Sequence, residues 1–227
     1  MTGNGKTGKA LRLLLVSLLC AIAAGLGYAV LGLSLSPVGL GELVGANLEA
    51  SGVSHPVTAV LLNFRGYDTL LEMGVLLVAL LGVWSLSGMP DYHESSPEPV
   101  LDILSRLLIP MLILVAGYLL WVGAHAPGGA FQAGSVLGAA CVLMMLTGWR
   151  LDSRFAGLLL RVVMVSGLGV FVMVSTAMLL NGSAFFEFPP PMAGELILLI
   201  EAVATMTIGA TLAALFLRSR PAVGPDK

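Results

Sequence analysis

Six apolar stretches, at residues 11–33, 67–86, 101–122, 131–148, 155–180 and 194–217, limit what this chain can become. A helix rises about 1.5 Å per residue, so roughly 20 residues cross the ~30 Å hydrocarbon core of a bilayer. Each stretch comes near that length or exceeds it. In hydrocarbon, every backbone N–H and C=O has to find its partner inside the protein, which selects helices for such stretches. The chain is 57% hydrophobic and only 11% charged, whereas an ordinary soluble domain carries about 25% charged residues. The expected fold class is an all-α integral membrane protein with about six transmembrane helices.

The polar segments between these stretches divide the chain. Residues 1–10 are glycine-rich and basic, and the first stretch after them resembles a signal-peptide h-region. An h-region runs only about 7–15 residues, however. This stretch is longer and lacks a small-residue cleavage site, so it reads as a retained span. Residues 34–56 read as a loop. Residues 87–99 are proline-rich and acidic, with Asp91, Glu94 and Glu98, and form the one plausible module boundary. The expected organisation is a two-helix module over 1–90, an acidic Pro-rich linker over 91–100, and a four-helix module over 101–227.

Six spans place both termini on one side. Lys6, Lys9, Arg12, Arg150, Arg154, Arg218 and Arg220 all fall on that side, which the positive-inside rule makes cytoplasmic. The expected location is the cell membrane. Net charge is −2 with no basic patch, which argues against a nucleic-acid partner. Cys20 and Cys141 fall inside apolar stretches, as small core residues do.

Several charges are sunk in these spans. In the segment NFRGYDTLLEMG, residues 63–74, Arg65, Asp68 and Glu72 recur at i, i+3 and i+7 and so share one helix stripe. Asp68 suits a helix N-terminus, and Arg65 can neutralise only one neighbouring carboxylate. Glu72, about one turn inside the span, is left as the better candidate for a group that loads and releases a proton or cation. Ionisable groups at such depth face a bundle interior or a wet cavity. In the sixth span, Glu201 lies about 10 Å beyond Glu195 along the axis, with Thr205 on the same face and able to share a hydrogen bond.

A third feature is GAHAPGGAFQAG, residues 123–134. Pro127 removes a backbone donor, while Gly128 and Gly129 permit positive φ, so the apolar sequence breaks here. Two readings stand, a tight turn between spans and a re-entrant element with carbonyls beside an ion path. His125 can titrate near neutral pH, although a histidine at a turn commonly just satisfies backbone groups. Hydrolase, metalloprotease, P-loop and dinucleotide-binding signatures are absent, and His55, His93 and His125 have no ligand spacing. The sequence points to no enzyme, no cofactor and no metal centre.

NFRGYDTLLEMGVLLVALLGV, residues 63–83, resembles the signature near the carboxyl end of the large A subunit of Mrp-type Na⁺/H⁺ antiporters. The same signature occurs in the small E subunit of related membrane-bound hydrogenases. PGGAFQAGSVLGAA, residues 127–140, resembles the B subunit of those antiporters, the MnhB family. The two resemblances cover about 11–86 and 101–217. They imply roles for Arg65, Asp68 and Glu72 in the first module, and for Pro127, Gly128, Gly129 and Phe131 in the second. The departures are Asn63 where Asp is frequent, Ala130 where Gly is common, and Ala124 at the usual histidine position, with His125 one place later.

The resemblance implies an accessory member of a multi-subunit Na⁺/H⁺ antiporter, with other membrane subunits, the lipid bilayer, Na⁺ and H⁺ as its partners. Pumping members of that family carry lysines buried in the membrane, whereas all the lysines here, Lys6, Lys9 and Lys227, are terminal. The chain is therefore expected to supply one wall and one or two carboxylates of a shared path. Two alternatives remain open: a structural or ion-path subunit of a redox-driven, hydrogenase-type complex, and an autonomous cation carrier.

Overall fold

A computed structural model describes residues 4–32, 39–86, 99–148 and 158–218. The described residues are helical, with no strand among them. The elements are α1 (Asn4–Leu31), α2 (Leu40–Asn47), α3 (Pro56–Ala59), α4 (Gly66–Leu86), α5 (Pro99–Val122), α6 (Ala130–Leu146), α7 (Leu158–Leu180) and α8 (Pro190–Arg218). Five helices are long and apolar enough to span: Leu11–Leu31, Gly66–Leu86, Pro99–Val122, Leu158–Leu180 and Pro190–Phe216. The sixth, α6, has 17 residues and is therefore about 25 Å long. The chain is thus a multi-pass, all-helical membrane protein. Much of the acidic linker, together with Arg150, Asp152, Arg154 and Arg220, lies outside the described residues.

Two segments differ from the sequence expectation. Within the anticipated loop over 34–56, Leu40–Asn47 forms a helix and Glu49–Ser51 a 3-10 turn. The prolines at 189–191 lie outside the sixth apolar stretch, 194–217, yet α8 already begins at Pro190. Proline is well placed in a first helical turn, where the missing N–H has no intrahelical partner in any case.

The chain forms two compact units, Met1–Glu42 and Leu43–Lys227. In the first, every residue from Leu11 to Gly32 is exposed, so this span presents apolar side chains all round. In the second, α8 is the hub, packed by α4, α5, α6 and α7. Ala193, Ile197, Ile200, Ala204 and Ile208 are buried along one α8 face at spacings of three and four, as a core-facing stripe requires. Glu201, Thr205 and Thr211 are buried beside that stripe.

Small residues set the α6–α8 contact. A Cβ on Gly134 would lie 2.8 Å from both Cβ and Cγ2 of Ile208, and one on Gly138 would lie 3.1 Å from the Gly209 carbonyl. Gly134 and Gly138 make a GxxxG pair, which lets helix backbones approach closely in a membrane. Between α7 and α8 the adhesive is polar. The Thr207 hydroxyl donates to the Val163 carbonyl at 2.7 Å and accepts from the Gly167 amide at 2.9 Å. It thereby wedges between two groups that an unbroken helix would pair with each other.

Candidate ion-path site

The site begins where α3 runs into α4. Val60–Phe64 forms a π turn, and Arg65 leaves helical geometry at φ −128°, ψ 35°. The carbonyl of Leu61, released by this irregularity, accepts from the Thr69 hydroxyl at 2.6 Å. The Arg65 amide reaches back to Val60 O at 2.7 Å. Gly66 follows because Phe186 presses on the backbone here: a Cβ would fall 2.8 Å from the Phe186 ring. That ring packs edge-on against Tyr67, Phe171 and Phe185, with centroids 4.7, 5.0 and 4.4 Å away. Phe186 itself takes φ 70°, a costly conformation for a bulky residue. Four aromatic rings therefore fix where α4 starts.

The helix expected to run through all three charges is broken at the first: Asp68 and Glu72 lie on α4, while Arg65 stands just before it. Arg65 pairs with Asp68 at 2.6 Å. Glu72, two turns into α4, is exposed and forms no ion pair. All three border one groove with Leu71, Val75, Leu76 and Phe131. The structure thus brings Phe131 of the PGG-x-F motif to the FRGYDT…E stripe, residues the sequence could only treat apart. Glu72 does not face the interior of this chain. It faces outward, across an apolar groove.

The segment over 123–129 is a compact turn folded back on α5. The Gly129 amide donates to Leu119 O at 2.9 Å. Gly128 sits so near that carbonyl that a Cβ would come 2.4 Å from it. The remaining free carbonyls at the end of α5 are met from the α3 side. His55 N and Ser54 Oγ donate to Ala124 O at 3.1 and 3.2 Å, and the Thr58 hydroxyl donates to Gly123 O. Much of the backbone at this break is thus hydrogen-bonded within the protein. His125 and Pro127 are exposed on the turn. His125 borders a second hollow with Glu49, Ser54, Trp121 and Leu198, away from the Glu72 groove.

Gly129, at φ 100°, caps the N-terminus of α6 and turns its bare Cα toward α8. A Cβ there would lie 2.6 Å from Glu201 Oε1. Glu201 thus stands against the N-terminal turn of α6, and its Oε2 is buried without any partner. Thr205 does share a hydrogen bond with Glu201, but with its backbone: the hydroxyl donates to Glu201 O at 2.7 Å. The first turn of α6 therefore touches both acidic positions, with Phe131 at the Glu72 groove and Gly129–Ala130 over Glu201. Sequence reasoning missed the Gly134/Gly138 pair, the aromatic cluster and the Thr207 wedge. The first of these carried a legible signal, the GxxxG spacing.

Comparison with known proteins gives a consistent picture. The family of domains related to the MnhB subunit of Na⁺/H⁺ antiporters matches residues 100–218. The A/B subunit of a probable K⁺/H⁺ antiporter of Rhizobium meliloti (strain 1021) is 25% identical over 76% of this chain and 20% of its own length. An uncharacterized protein of Methanocaldococcus jannaschii is 28% identical over 60% of this chain and 61% of its own. The chain spans less than two thirds of the length of both relatives. The fold is shared with a chain of the archaeal membrane-bound sulfane sulfur reductase, a respiratory membrane complex. There the TM-score is 0.69 at 23% identity, covering 91% of this chain and 97% of that one. The Mrp complex from Dietzia sp. DQ12-45-1b is similar over 100% of this chain and 27% of that one, with TM-score 0.63 and 22% identity.

Proposed function

The chain belongs to the family of MnhB-related domains of Na⁺/H⁺ antiporters, and on that premise we propose that it is an accessory membrane subunit of a multi-subunit monovalent cation/proton antiporter. In this reading it fuses a two-helix module, 1–90, through a linker at 91–100 to the four-helix module, 101–227. It sits in the cell membrane with both termini cytoplasmic, and it has no enzymatic role of its own. The match of the Rhizobium meliloti A/B polypeptide to one continuous chain supports the fusion. The family match beginning at residue 100 supports the boundary.

One observation carries the mechanism: an unpaired carboxylate, Glu72, stands in an outward-facing apolar groove within a membrane span. Lipid cannot neutralise it, and Arg65 is already engaged by Asp68. A neighbouring subunit covers the groove, and Glu72 exchanges a proton or cation with it, held in place by Arg65, Asp68 and Phe131. Glu201, with Thr205 bracing its backbone, is a second carboxylate station on the other module. Pro127, Gly128 and Gly129 shape the turn between the stations, and His125 stands outside the path.

The test is Glu72→Gln in the assembled complex. Na⁺-dependent proton movement in liposomes is expected to fall to near background while the subunit composition stays normal. Unchanged transport in a normally assembled complex refutes the role. A second reading, a purely structural subunit of a redox-driven complex, is favoured by the near-complete coverage of the sulfane sulfur reductase chain. It predicts that Glu72→Gln is silent once assembly is preserved. The subunits that co-purify in mild detergent separate the two readings.

A further inference from the structure

We propose that the niche formed by Glu201 under the Gly129–Ala130 turn is a proton-only site, one that binds and releases a single H⁺ and excludes Na⁺ and K⁺. The purpose of such a site rests on the transport reading above; its existence does not.

Burial comes first. Glu201 is 5% exposed and lies near the middle of the span Pro190–Phe216. No cation pairs with it, since the ion pairs among the described residues are Arg65–Asp68 and Arg106–Asp102. The titratable groups on the elements around it are turned elsewhere. On α8 itself Glu195 is exposed, as is Glu49 on the 3-10 turn. On α4, Tyr67 and Glu72 are exposed and Asp68 is paired. On α5, Asp102 is paired and Tyr118 exposed. On α6 there is only Cys141, on α7 only Arg161, exposed, and on the turn His125, exposed. A carboxylate so placed has no charge partner, and a permanently ionised group would be severely penalised.

The choice of cation follows from what surrounds the carboxylate. Hard metal cations require several oxygen ligands around them. Here Oε1 lies against Gly129, the cap of α6, at the positive end of the α6 dipole. Other oxygens are few: Leu119 O and Gly129 O already accept from Gly129 and Ala133, the Thr205 hydroxyl is turned to the Glu201 carbonyl, and Gln132 Oε1 also lies near Gly129. A bare metal ion would meet one carboxylate, at most one amide oxygen and a like-signed helix end. A proton needs no ligand shell. It adds at Oε2, the oxygen without a partner, and leaves from the same atom.

The niche also accommodates the ionised form, which a site that must release its proton requires. The N-terminal amides of α6 favour the negative carboxylate, while burial favours the neutral acid. Gly129 makes this arrangement possible. It closes over the carboxyl at φ 100° with no Cβ, where a Cβ would sit 2.6 Å from Oε1.

Infrared difference spectroscopy on the whole complex tests the proposal. A protonated-carboxyl C=O band that titrates with pH is expected in the wild type and is expected to vanish in Glu201→Gln. Its midpoint is expected to be the same in NaCl, KCl and choline chloride. Absence of the band, or a midpoint driven acidic by Na⁺ or K⁺, overturns the proposal. Should Glu201→Gln fail to assemble, Glu201→Asp withdraws the carboxyl from Gly129. That variant is expected to shift both band and midpoint, and an unshifted band overturns the proposal equally. The band is read at equilibrium, so failure of the antiporter reading leaves it in place.

Discussion

Replacing Gly134 by alanine adds one methyl group at the close crossing of α6 and α8. The new Cβ would stand 2.8 Å from Ile208 Cβ and Cγ2, and 3.2 Å from the Thr205 carbonyl. None of these atoms is the far end of a flexible side chain, so relief requires α6 and α8 to part. Carbon–carbon contacts are comfortable at about 3.5–4.0 Å, so the gap is about 1 Å. Opening it forfeits a quarter to a half of the dispersion energy at each contact along the seam. Overpacking of this kind costs about 1–3 kcal/mol, roughly a 5- to 150-fold change in the folding equilibrium. Gly169, with nothing within 4 Å, is the matched control. There the same substitution gains up to about 1 kcal/mol of helix propensity. Reversible SDS titration in mixed micelles, followed by circular dichroism, measures both. If Gly134→Ala is as stable as Gly169→Ala within about 0.5 kcal/mol, the crossing does not depend on glycine.

Other expectations concern the remaining contacts. Gly66→Ala forces the Phe186 ring from its place and is expected to cost about 1–3 kcal/mol. In a Phe186→Ala background that cost should disappear, and a double-mutant cycle with no coupling would rule out the clash as its origin. Thr207→Val removes the hydroxyl that bridges Val163 O and Gly167 N, with an expected loss of about 1–2 kcal/mol. Faster hydrogen exchange at the Gly167 amide is the specific sign, and unchanged exchange speaks against the bridge.

The helices were legible because bilayer thickness translates directly into apolar run length. Asp68 and Glu72 were legible as neighbours because i and i+4 meet on any helix, whereas the break at Arg65 was not legible, although Arg65 still reaches Asp68. What the sequence concealed was long-range. Gly129 and Glu201 stand 72 positions apart in the chain, and nothing in either segment names the other. Glu72 was legible as a membrane-depth acid, yet its outward aim depends on which α4 face meets α7 and α8. The stretch over 40–47 read as loop because glycines and a nearby proline hid an eight-residue helix. Thr207 could equally have bonded its own helix, as Thr205 does, so its reach across to α7 left no trace in the residue pattern.

The brevity of α6 bears on the host membrane. A cylinder about 25 Å long matches a thin bilayer better than the ~30 Å average. At its N-terminal end α6 meets the hydrogen-bonded but non-helical backbone of the Gly123–Gly129 turn. Lipids with short tails should therefore suit this chain, and long, sterol-stiffened ones should pinch inward around it. Because Phe131 and Gly129 border both acidic positions from that same end, the thickness of the surrounding leaflet becomes a physical control on how readily water reaches them.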